Sequence, residues 1–464
     1  MTAFSGQWIH MVGIAGAGMS GIARILNEQG FKVSGSDLQI NNTTRNLADL
    51  GIEIYHGHAS SHVKEGVDYL VISSAIPDNN LELVEAISKN IPVLKRGDLL
   101  AHLVNQKKGI AVAGAHGKTT TTAMLYMILS EVGLDPTFAV GGEFQDSNLN
   151  AKLGSGEYFV VEADESDASF LEIKPYIGVI TNIENDHLDF YKSFYNIKNA
   201  FKQFLNGIAD NGWAVVYGQD QHIRDITANM QQRILYYGKN PDCDYYFDNW
   251  RTKGLGSEFN IYRQGQEIGL IELSVPGQHN ALNALATIAI AMELGIKFTD
   301  IKKAIIKYHG TKRRFEIVGK QNGIVVIDDY AHHPTEIKAT LDAAQSFHRG
   351  RVIAVFQPHR FSRTKSLGKE LGEAFINADL VVFTEVYAAG ERPISGISGK
   401  TVYDAALQAG CNAIYIPDMN NICHYLVKNA QKDDLVITMG AGDIWAVGID
   451  LLKIVPEMKI KAHS

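Results

Sequence analysis

Residues 114–122 read GAHGKTTTT and lie between two apolar runs, IAVA before them and AMLYMIL after them. Glycines and a Lys-Thr pair between a strand and a helix predict a phosphate-binding loop, whose backbone N–H groups surround phosphate oxygens. Lys118 would neutralise those oxygens, and the hydroxyl of Thr119 would reach Mg²⁺. Because Val112 stands where the longer G-x-x-x-x-G-K-T pattern has glycine, this loop is tighter than that form. We predict an ATP site; the alternative is a chance Gly-Lys-Thr in an ordinary loop.

Two further apolar stretches, FVVEADESDASFL and VITNIENDHLDFY, end in clustered acids. If both are strands of the same sheet, the carboxyl edge near the phosphate loop carries Glu162, Asp164, Glu165, Asp186 and His187. Mg²⁺ keeps several waters and takes only one or two protein ligands. We therefore expect Glu162 and His187, each closest to its strand end, to bind magnesium together with Thr119. Solvated loop acids and helix caps are the alternative.

A glycine motif occurs near the start of the chain, in VGIAGAGMSGIA, where Gly16, Gly18 and Gly21 satisfy G-x-G-x-x-G. A second strand-like run ends at Asp37. This combination predicts a nucleotide whose diphosphate passes close to the backbone at a helix N-terminus. The glycines do not select nicotinamide, and a purely structural tight turn is the alternative.

Four strand-like runs in the last third of the chain lead into polar loops: IVVIDDYAHHPTEI, VIAVFQPHRFSRT, VVFTEVYAAGERPISG and VITMGAGDIW. They predict one rim that carries Asp329, His332, His333, Arg360 and Arg363. Two guanidinium groups could present planar forks to a carboxylate or a phosphate. The paired histidines have neither an HExxH pattern nor a third spaced ligand, which argues against zinc.

The elements that must position these residues alternate between strand and helix, as in WIHMV, SGIARILNEQ and FKVSGSD. Such alternation predicts parallel sheets built from βαβ units, and hence an α/β fold. The pattern restarts near Gly16, Gly114 and Asp328, which indicates three α/β units in tandem. We place their boundaries at NQKKG and TKRRF, giving domains 1–107, 108–312 and 313–464.

Composition excludes several classes of protein. Of the 464 residues, 45% are hydrophobic and 20% charged, which is ordinary for a globular chain. The net charge of −8 argues against a nucleic-acid partner. The stretch MTAFSGQWIHMVG has no charged segment before an apolar one, and no apolar run is long enough to span a bilayer, so we expect neither a secretory leader nor a membrane span. Three widely separated cysteines fit free thiols in a reducing compartment, so we expect a cytoplasmic protein.

A nucleotide site, an ATP site with magnesium ligands and carboxylate-binding arginines make sense together if phosphate is transferred to a carboxylate. The resulting acyl phosphate can be attacked by an amine, which divides amide formation into two feasible displacements. Two other classes remain open. A nicotinamide oxidoreductase would leave the Gly-Lys-Thr loop unexplained, and an ATP-dependent switch would release phosphate without a small-molecule substrate.

The order of these motifs resembles the Mur ligase family of bacterial peptidoglycan synthesis. The resemblance covers nearly the whole chain and includes VSGSD, SSAI, HNALNALA and KRRFE besides the stretches quoted above. It implies a Rossmann-like N-terminal domain for a UDP-sugar, a central P-loop ATPase-like domain and a Rossmann-like C-terminal domain for an amino acid.

The resemblance also implies residue roles. ATP would contact Gly114, Ala115, His116, Gly117, Lys118, Thr119 and Thr120, with His279 and Asn280 at the adenine and Arg314 and Asp329 at the phosphates and ribose. The UDP-sugar would contact Gly16, Gly18, Ser36, Asp37 and Ser74. The amino acid would contact Tyr330, His332, Arg360 and Arg363. The catalytic group would be Lys118, Glu162, His187 and His332. Ala115 departs from the family, which usually has Thr there.

The implied reaction joins L-alanine to the lactyl carboxylate of UDP-N-acetylmuramate, with ATP as co-substrate and Mg²⁺ or Mn²⁺ as cofactor. The residues of the motifs EADESDASFL and NIENDHLDFY resemble this branch of the family more than the salvage branch. The alternative is a salvage branch that adds a tripeptide to the same sugar nucleotide. We expect a monomer or a weak homodimer without membrane insertion.

Overall fold

The computed structural model describes residues 7–454, which pack as two compact units. The first unit holds the described residues up to Asp248 together with Asn260–Ile271 and Leu282–Tyr308. The second holds Asn249–Phe259, Glu272–Ala281 and the described residues from His309 onward. Within residues 7–454, no helix combines the length and the apolar character that crossing a bilayer requires.

The first sheet is parallel and has five strands in the order β3-β2-β1-β4-β5. Its elements are β1 (Trp8–Val12), α1 (Ala17–Glu28), β2 (Lys32–Asp37), α2 (Asn42–Asp49), β3 (Glu53–His56), a 3₁₀ turn (Ser60–His62), β4 (Tyr69–Ile72), α3 (Leu81–Ser88), β5 (Val93–Lys95) and α4 (Arg96–Val104). The predicted Rossmann-like arrangement is therefore present, because the chain order reverses between β1 and β4 and ligands bind at such a switch point.

The second sheet has ten strands. Its elements are β6 (Lys108–Ala113), α5 (Lys118–Glu131), β7 (Thr137–Ala139), β8 (Ala151–Lys152), β9 (Tyr158–Glu162), a 3₁₀ turn (Ser169–Glu172), β10 (Ile177–Ile180), α6 (Leu188–Tyr191), α7 (Phe194–Asn206), β11 (Trp213–Tyr217), α8 (Gln221–Thr227), β12 (Arg233–Gly238), β13 (Tyr245–Lys253), β14 (Gly256–Arg263), β15 (Gln266–Leu273), α9 (Gln278–Glu293) and α10 (Phe298–Ile305). The order is β15-β14-β13-β12-β11-β10-β6-β9-β7-β8.

Strand β6 carries the phosphate loop and lies between β10 and β9, parallel to both. In the register, Val112 pairs with Glu162 and Ala113 pairs with Ile180. The three strands therefore end at one edge, so the segments that follow them must meet there. This is the arrangement that the acidic strand ends predicted.

The third sheet lies in the second unit, with the order β16-β17-β21-β18-β19-β20. Its elements are β16 (Glu316–Gln321), β17 (Ile324–Asp329), α11 (Pro334–Phe347), β18 (Val352–Phe356), α12 (Phe361–Glu373), β19 (Leu380–Phe383), α13 (Gly399–Gln408), β20 (Ala413–Tyr415), α14 (Met419–Asn429), β21 (Leu435–Met439) and α15 (Trp445–Ile454). Strand β16 is antiparallel to β17, and the other neighbours are parallel.

Helix α11 illustrates how local sequence fixes the polar loop after β17. Pro334 occupies its first turn, where the missing N–H costs nothing. The side chain of His333 accepts from the backbone N–H of Thr335, and the side chain of Glu336 accepts from the backbone N–H of His333. This reciprocal capping stabilises the helix start and orients the loop that precedes it.

Candidate active site

The phosphate loop is held open by glycines and by the segment after β10. Gly114 and Gly117 have φ angles of +135° and +82°, which side chains rarely tolerate. A Cβ on Gly114 would lie 2.1 Å from the hydroxyl of Thr181. The amide of Asn182 fixes the loop further, since its Oδ1 accepts from the backbone N–H of His116 at 2.9 Å. The loop is thus a preformed backbone cradle at the start of α5.

Lys118 folds back over this cradle. Its Nζ donates to the carbonyls of Gly114 and Ala115, at 2.6 and 3.3 Å, and to the carboxylate of Glu165 at 2.8 Å. Burial opposes its charge, but Glu165 and Glu162 attract a proton strongly enough to raise the pKa of Lys118. Lys118 is therefore a charged group aimed at the centre of the loop.

Glu162 and Thr119 meet at the end of β9. The hydroxyl of Thr119 donates to Oε1 of Glu162 at 3.0 Å, and the backbone N–H of Gly141 donates to Oε2 at 2.7 Å. Thr120, next in the first turn of α5, is buried. The two predicted oxygen ligands, the hydroxyl of Thr119 and the carboxylate of Glu162, are thus joined by one hydrogen bond.

His187 lies beside Glu165, with its Nε2 3.8 Å from Oε1 of that carboxylate and 3.8 Å from Oδ2 of Asp186. It precedes α6 in the left-handed conformation, with φ +56°. Burial raises the pKa of Glu165 to about 7, and its second oxygen, Oε2, is buried without a hydrogen-bond partner in the described chain. Glu165 was one of the predicted edge acids, but its contact with Lys118 was not foreseen.

The glycine loop of the first sheet is tied to the end of β2. The carbonyl of Ser36 accepts from the backbone N–H groups of Gly13 and Ile14, and the carboxylate of Asp37 accepts from Ala15 at 2.9 Å. Gly16 caps α1, so the loop passes directly into a helix N-terminus. Asp37 therefore contacts the residue next to Gly16, and Gly18 follows in the first turn of α1.

Two other predicted UDP-sugar residues differ in exposure. Ser36 is buried, and its hydroxyl donates to Oε2 of Glu82 at 2.6 Å. Ser74 is exposed in the loop after β4, and neighbouring Ile76 lies 3.4 Å from where a Cβ on Gly13 would stand. Glu82 was missed because it reads as an ordinary polar position of α3.

In the second unit, Asp329 ends β17 and holds the adjacent loops. Its carboxylate accepts from the backbone N–H of Ala331 at 2.8 Å and of Phe315 at 2.9 Å. Burial raises the pKa of Asp329 to about 6. His279 is also buried, and burial together with the charge of Arg314 lowers its pKa to about 4, so its imidazole is neutral at pH 7.

The predicted amino-acid residues surround His359, which sequence reasoning did not single out. The rings of Tyr330 and His332 are 5.3 Å apart, and those of His332 and His359 are 5.7 Å apart. Arg363 donates from Nη1 to Nδ1 of His359 at 3.4 Å. Burial, with the nearby positive charges, lowers the pKa of His359 to about 3, so it stays a neutral acceptor. Its only sequence signal was its place in QPHRFSRT.

Arg360 caps α12 with an unusual backbone, φ +68° and ψ 137°. Its N–H donates to the carbonyl of Tyr387 at 2.8 Å, and the N–H of Tyr387 donates to Pro358 at 2.8 Å. This two-way link fixes the loop. A non-glycine residue in this conformation is strained, which is a common feature of functional loops.

Comparison with known proteins gives three family matches in chain order. The model described as Mur ligase family, catalytic domain, matches residues 8–108. The Mur ligase middle domain matches residues 112–291, and the Mur ligase, glutamate ligase domain, matches residues 313–442.

Individual relatives match over nearly their full length. A UDP-N-acetylmuramate–L-alanine ligase from Syntrophomonas wolfei is 59% identical over 461 residues, 98% of this chain and 99% of the relative. The crystal structure of the UDP-N-acetylmuramate-alanine ligase of Thermotoga maritima superposes with a TM-score of 0.83 at 29% identity, covering 96% of this chain and 98% of that one. A murein peptide ligase from Psychrobacter arcticus gives a TM-score of 0.72 at 26% identity, covering 97% and 98%.

Proposed function

Since the chain belongs to the Mur ligase family, we propose that it joins L-alanine to the lactyl carboxylate of UDP-N-acetylmuramate and converts ATP to ADP and phosphate. The high identity to the Syntrophomonas wolfei alanine ligase supports this substrate over a tripeptide. We keep residues 1–107, 108–312 and 313–464 as the proposed domains. A cytoplasmic location also remains a prediction, supported by three buried free cysteines.

One observation carries the proposal: Lys118, Thr119 and Glu162 converge where β6 and β9 end. The backbone N–H groups of the loop would bind phosphate oxygens, and Lys118 would exchange its carbonyl contacts for the transferring phosphoryl group. Enzymes accelerate phosphoryl transfer mainly by positioning the reactants and by stabilising the charge of the transition state, and the protein has little covalent chemistry to do.

A magnesium ion fits this edge of the sheet. Mg²⁺ prefers oxygen ligands, and Thr119 with Glu162 supplies a hydroxyl and a carboxylate 3.0 Å apart. Oε2 of Glu165, which is buried and has no hydrogen-bond partner among the described residues, is a further oxygen that a cation or its water would satisfy. We propose Thr119, Glu162 and His187 as the residues that hold it. When bound, the ion would neutralise charge on the phosphate oxygens.

The other substrates are assigned to the remaining clusters. The loop of Gly16 and Gly18, with Asp37, would bind the sugar nucleotide through a helix N-terminus. In the second unit, Tyr330, His332, Arg360 and Arg363 would line L-alanine, with a guanidinium fork on its carboxylate. His279, Asn280, Arg314 and Asp329 remain predicted ATP contacts.

The proposed reaction has two displacements. A lactyl carboxylate oxygen forms a bond to the γ-phosphorus, and the bond from that phosphorus to the bridging oxygen breaks, so ADP leaves. The amine of L-alanine then attacks the acyl carbon, loses a proton and expels inorganic phosphate. In both steps the protein would bind and orient the reactants and would exclude water from them.

The test is phosphate release by the purified chain with ATP, Mg²⁺ and UDP-N-acetylmuramate, adding L-alanine, glycine, L-serine or the tripeptide separately. Release that requires both the sugar nucleotide and L-alanine supports the proposal. Release only with the tripeptide would move the protein to the salvage branch. Release that ignores both substrates would contradict ligation altogether.

A further inference from the structure

Arg96 begins α4 directly after β5, at the edge of the first sheet where the glycine loop also lies. Its side chain crosses to the start of α1. A Cβ on Gly18 would lie only 2.9 Å from Nη1 and 3.1 Å from Cδ of Arg96. A side chain at position 18 would therefore clash with Arg96, and Gly18 leaves room for the guanidinium to lie beside the first turn of α1.

This end of α1 is prepared for an anion. Gly16 caps it without a side-chain hydrogen bond, and no acidic residue occupies its first turn. Unpaired N–H groups and the helix dipole favour negative charge there. The guanidinium of Arg96 lies beside this same turn.

The second contact of Arg96 is Asp164, in the acidic segment after β9. Nη2 of Arg96 lies 3.2 Å from Oδ2 of Asp164, whose Oδ1 accepts from the backbone N–H of Ser166 at 3.0 Å. Burial opposes the charge of Asp164, but Lys118 and Arg96 lower its pKa. One carboxylate is thus flanked by the cation of the phosphate loop and by the cation of the glycine loop.

The elements that carry Arg96 are fixed against their surroundings. A Cβ on Gly97 would lie 2.3 Å from Cβ of Ser169, so α4 starts in direct contact with the 3₁₀ turn after β9. At the other end of α4, Asn105 donates to the carbonyl of Glu172 at 3.1 Å. Helix α1 is held by Asn150, which donates to the carbonyl of Ala17 at 2.8 Å. Arg96 is therefore presented from a rigid position.

We propose that Arg96 binds the diphosphate of the sugar nucleotide, and that Asp164 orients the guanidinium towards it. The inference rests on the proposed function, because it takes the glycine loop as the site of that diphosphate. A guanidinium has five N–H donors in a fixed fork. One contact to Asp164 uses Nη2, which leaves Nη1, beside Gly18, to donate to phosphate oxygens.

Calorimetric binding of UDP, UMP and ADP to the full-length chain tests this assignment. The variants are Arg96→Ala, Arg96→Lys and Asp164→Asn, with Arg24→Ala as control, because Arg24 lies on α1 but faces Glu28 at 4.0 Å. We expect Arg96→Ala to weaken UDP roughly tenfold to a hundredfold, while UMP changes less than about threefold. Arg96→Lys should retain part of the affinity because it keeps charge without the fork. Asp164→Asn should weaken UDP by a smaller factor than Arg96→Ala.

Several outcomes would overturn the assignment. If Arg96→Ala keeps the wild-type ratio of UDP to UMP affinity, or lowers ADP affinity instead, Arg96 does not bind this diphosphate. If the wild-type chain binds no UDP, the proposed function fails as well. If the wild-type chain binds UDP and Arg96→Ala weakens that binding as expected, but the chain has no ligase activity, the assignment of Arg96 stands and the proposed function fails. Should Arg96→Ala not fold, the same ratio measured in Arg96→Lys and Arg96→Gln decides.

Discussion

Lys118 and Glu165 face each other across 2.8 Å, the ammonium at the start of α5 and the carboxylate just after β9. Both side chains are largely buried, with 15% and 5% of their surface exposed. The charge that the phosphate loop offers to a nucleotide is therefore already balanced by the protein. Removing either Lys118 or Glu165 leaves the other buried without its ion-pair partner, so a substitution here affects both activity and stability.

Replacing Lys118 by Ala should lower kcat by a factor on the order of 10² or more, since a preorganised charge on the transferring phosphoryl group is lost. The measurement is steady-state phosphate release at saturating substrates. Lys202, exposed on α7, gives the control Lys202→Ala, which should retain normal turnover. A folded Lys118→Ala variant with near-normal kcat would refute the role of Lys118.

Thr119→Ala should raise the Mg²⁺ concentration needed for half-maximal activity by roughly tenfold, because the hydroxyl beside Glu162 disappears. Thr119→Ser keeps that hydroxyl and serves as the matched control. The readout is a Mg²⁺ titration of phosphate release at fixed ATP. Equal Mg²⁺ dependence in the alanine and serine variants would show that the hydroxyl is not a ligand.

Arg360→Gly should raise the KM for L-alanine by roughly tenfold or more, since a charge-assisted contact to the carboxylate is lost. The glycine also relieves a backbone conformation that costs roughly 1–3 kcal/mol with other residues. Its melting temperature should therefore equal or exceed that of wild type, whereas Arg360→Ala keeps the strain. A rise confined to the KM for ATP would contradict the assignment of Arg360.

Glu82 makes the first sheet sensitive to acid. Burial opposes its ionisation, but hydrogen bonds from His10, Ser36 and His62 lower the pKa of Glu82 to about 2, from an ordinary 4.5. Because the folded pKa is depressed, the ionised carboxylate stabilises the fold fully above pH 4.5. That stability is lost progressively as the pH falls from 4.5 towards 2.

We therefore expect Glu82→Gln to destabilise the chain by roughly 1–3 kcal/mol at pH 7. The difference in the free energy of unfolding between this variant and wild type should be smaller at pH 3. Urea unfolding at both pH values measures it, and Glu65→Gln, on an exposed glutamate, is the control. A gap that stays constant with pH would mean that the charge of Glu82 contributes nothing to this stability.

The sequence predicted contacts whose partners lie next to each other along the chain or at neighbouring strand ends. Lys118 and Thr119 belong to one turn, and Glu162 reaches Thr119 because β6 and β9 are parallel in register. This follows from periodicity and from the rule that parallel strands share a carboxyl edge. The α/β class and the three successive sheets follow for the same reason.

Contacts that depend on helix packing could not be predicted. Arg96 meets Gly18 only because α4 and α1 lie at one edge, and neither local sequence contains that information. Glu82 lies on α3 as an apparently ordinary acid, yet it is fully buried against three other elements. The direction of a side chain could not be predicted either: the hydroxyl of Ser36 donates to Glu82, while its backbone carbonyl, near the end of β2, accepts from the glycine loop.

Transfer of oxygen from carboxylate to phosphate tests the central claim most directly. UDP-N-acetylmuramate labelled with ¹⁸O in both lactyl carboxylate oxygens would be turned over with ATP and L-alanine, and the released phosphate analysed by mass. If the carboxylate attacks the γ-phosphorus, each phosphate carries one ¹⁸O and the amide keeps the other. Phosphate that carries only solvent or ATP oxygen would contradict an acyl-phosphate route.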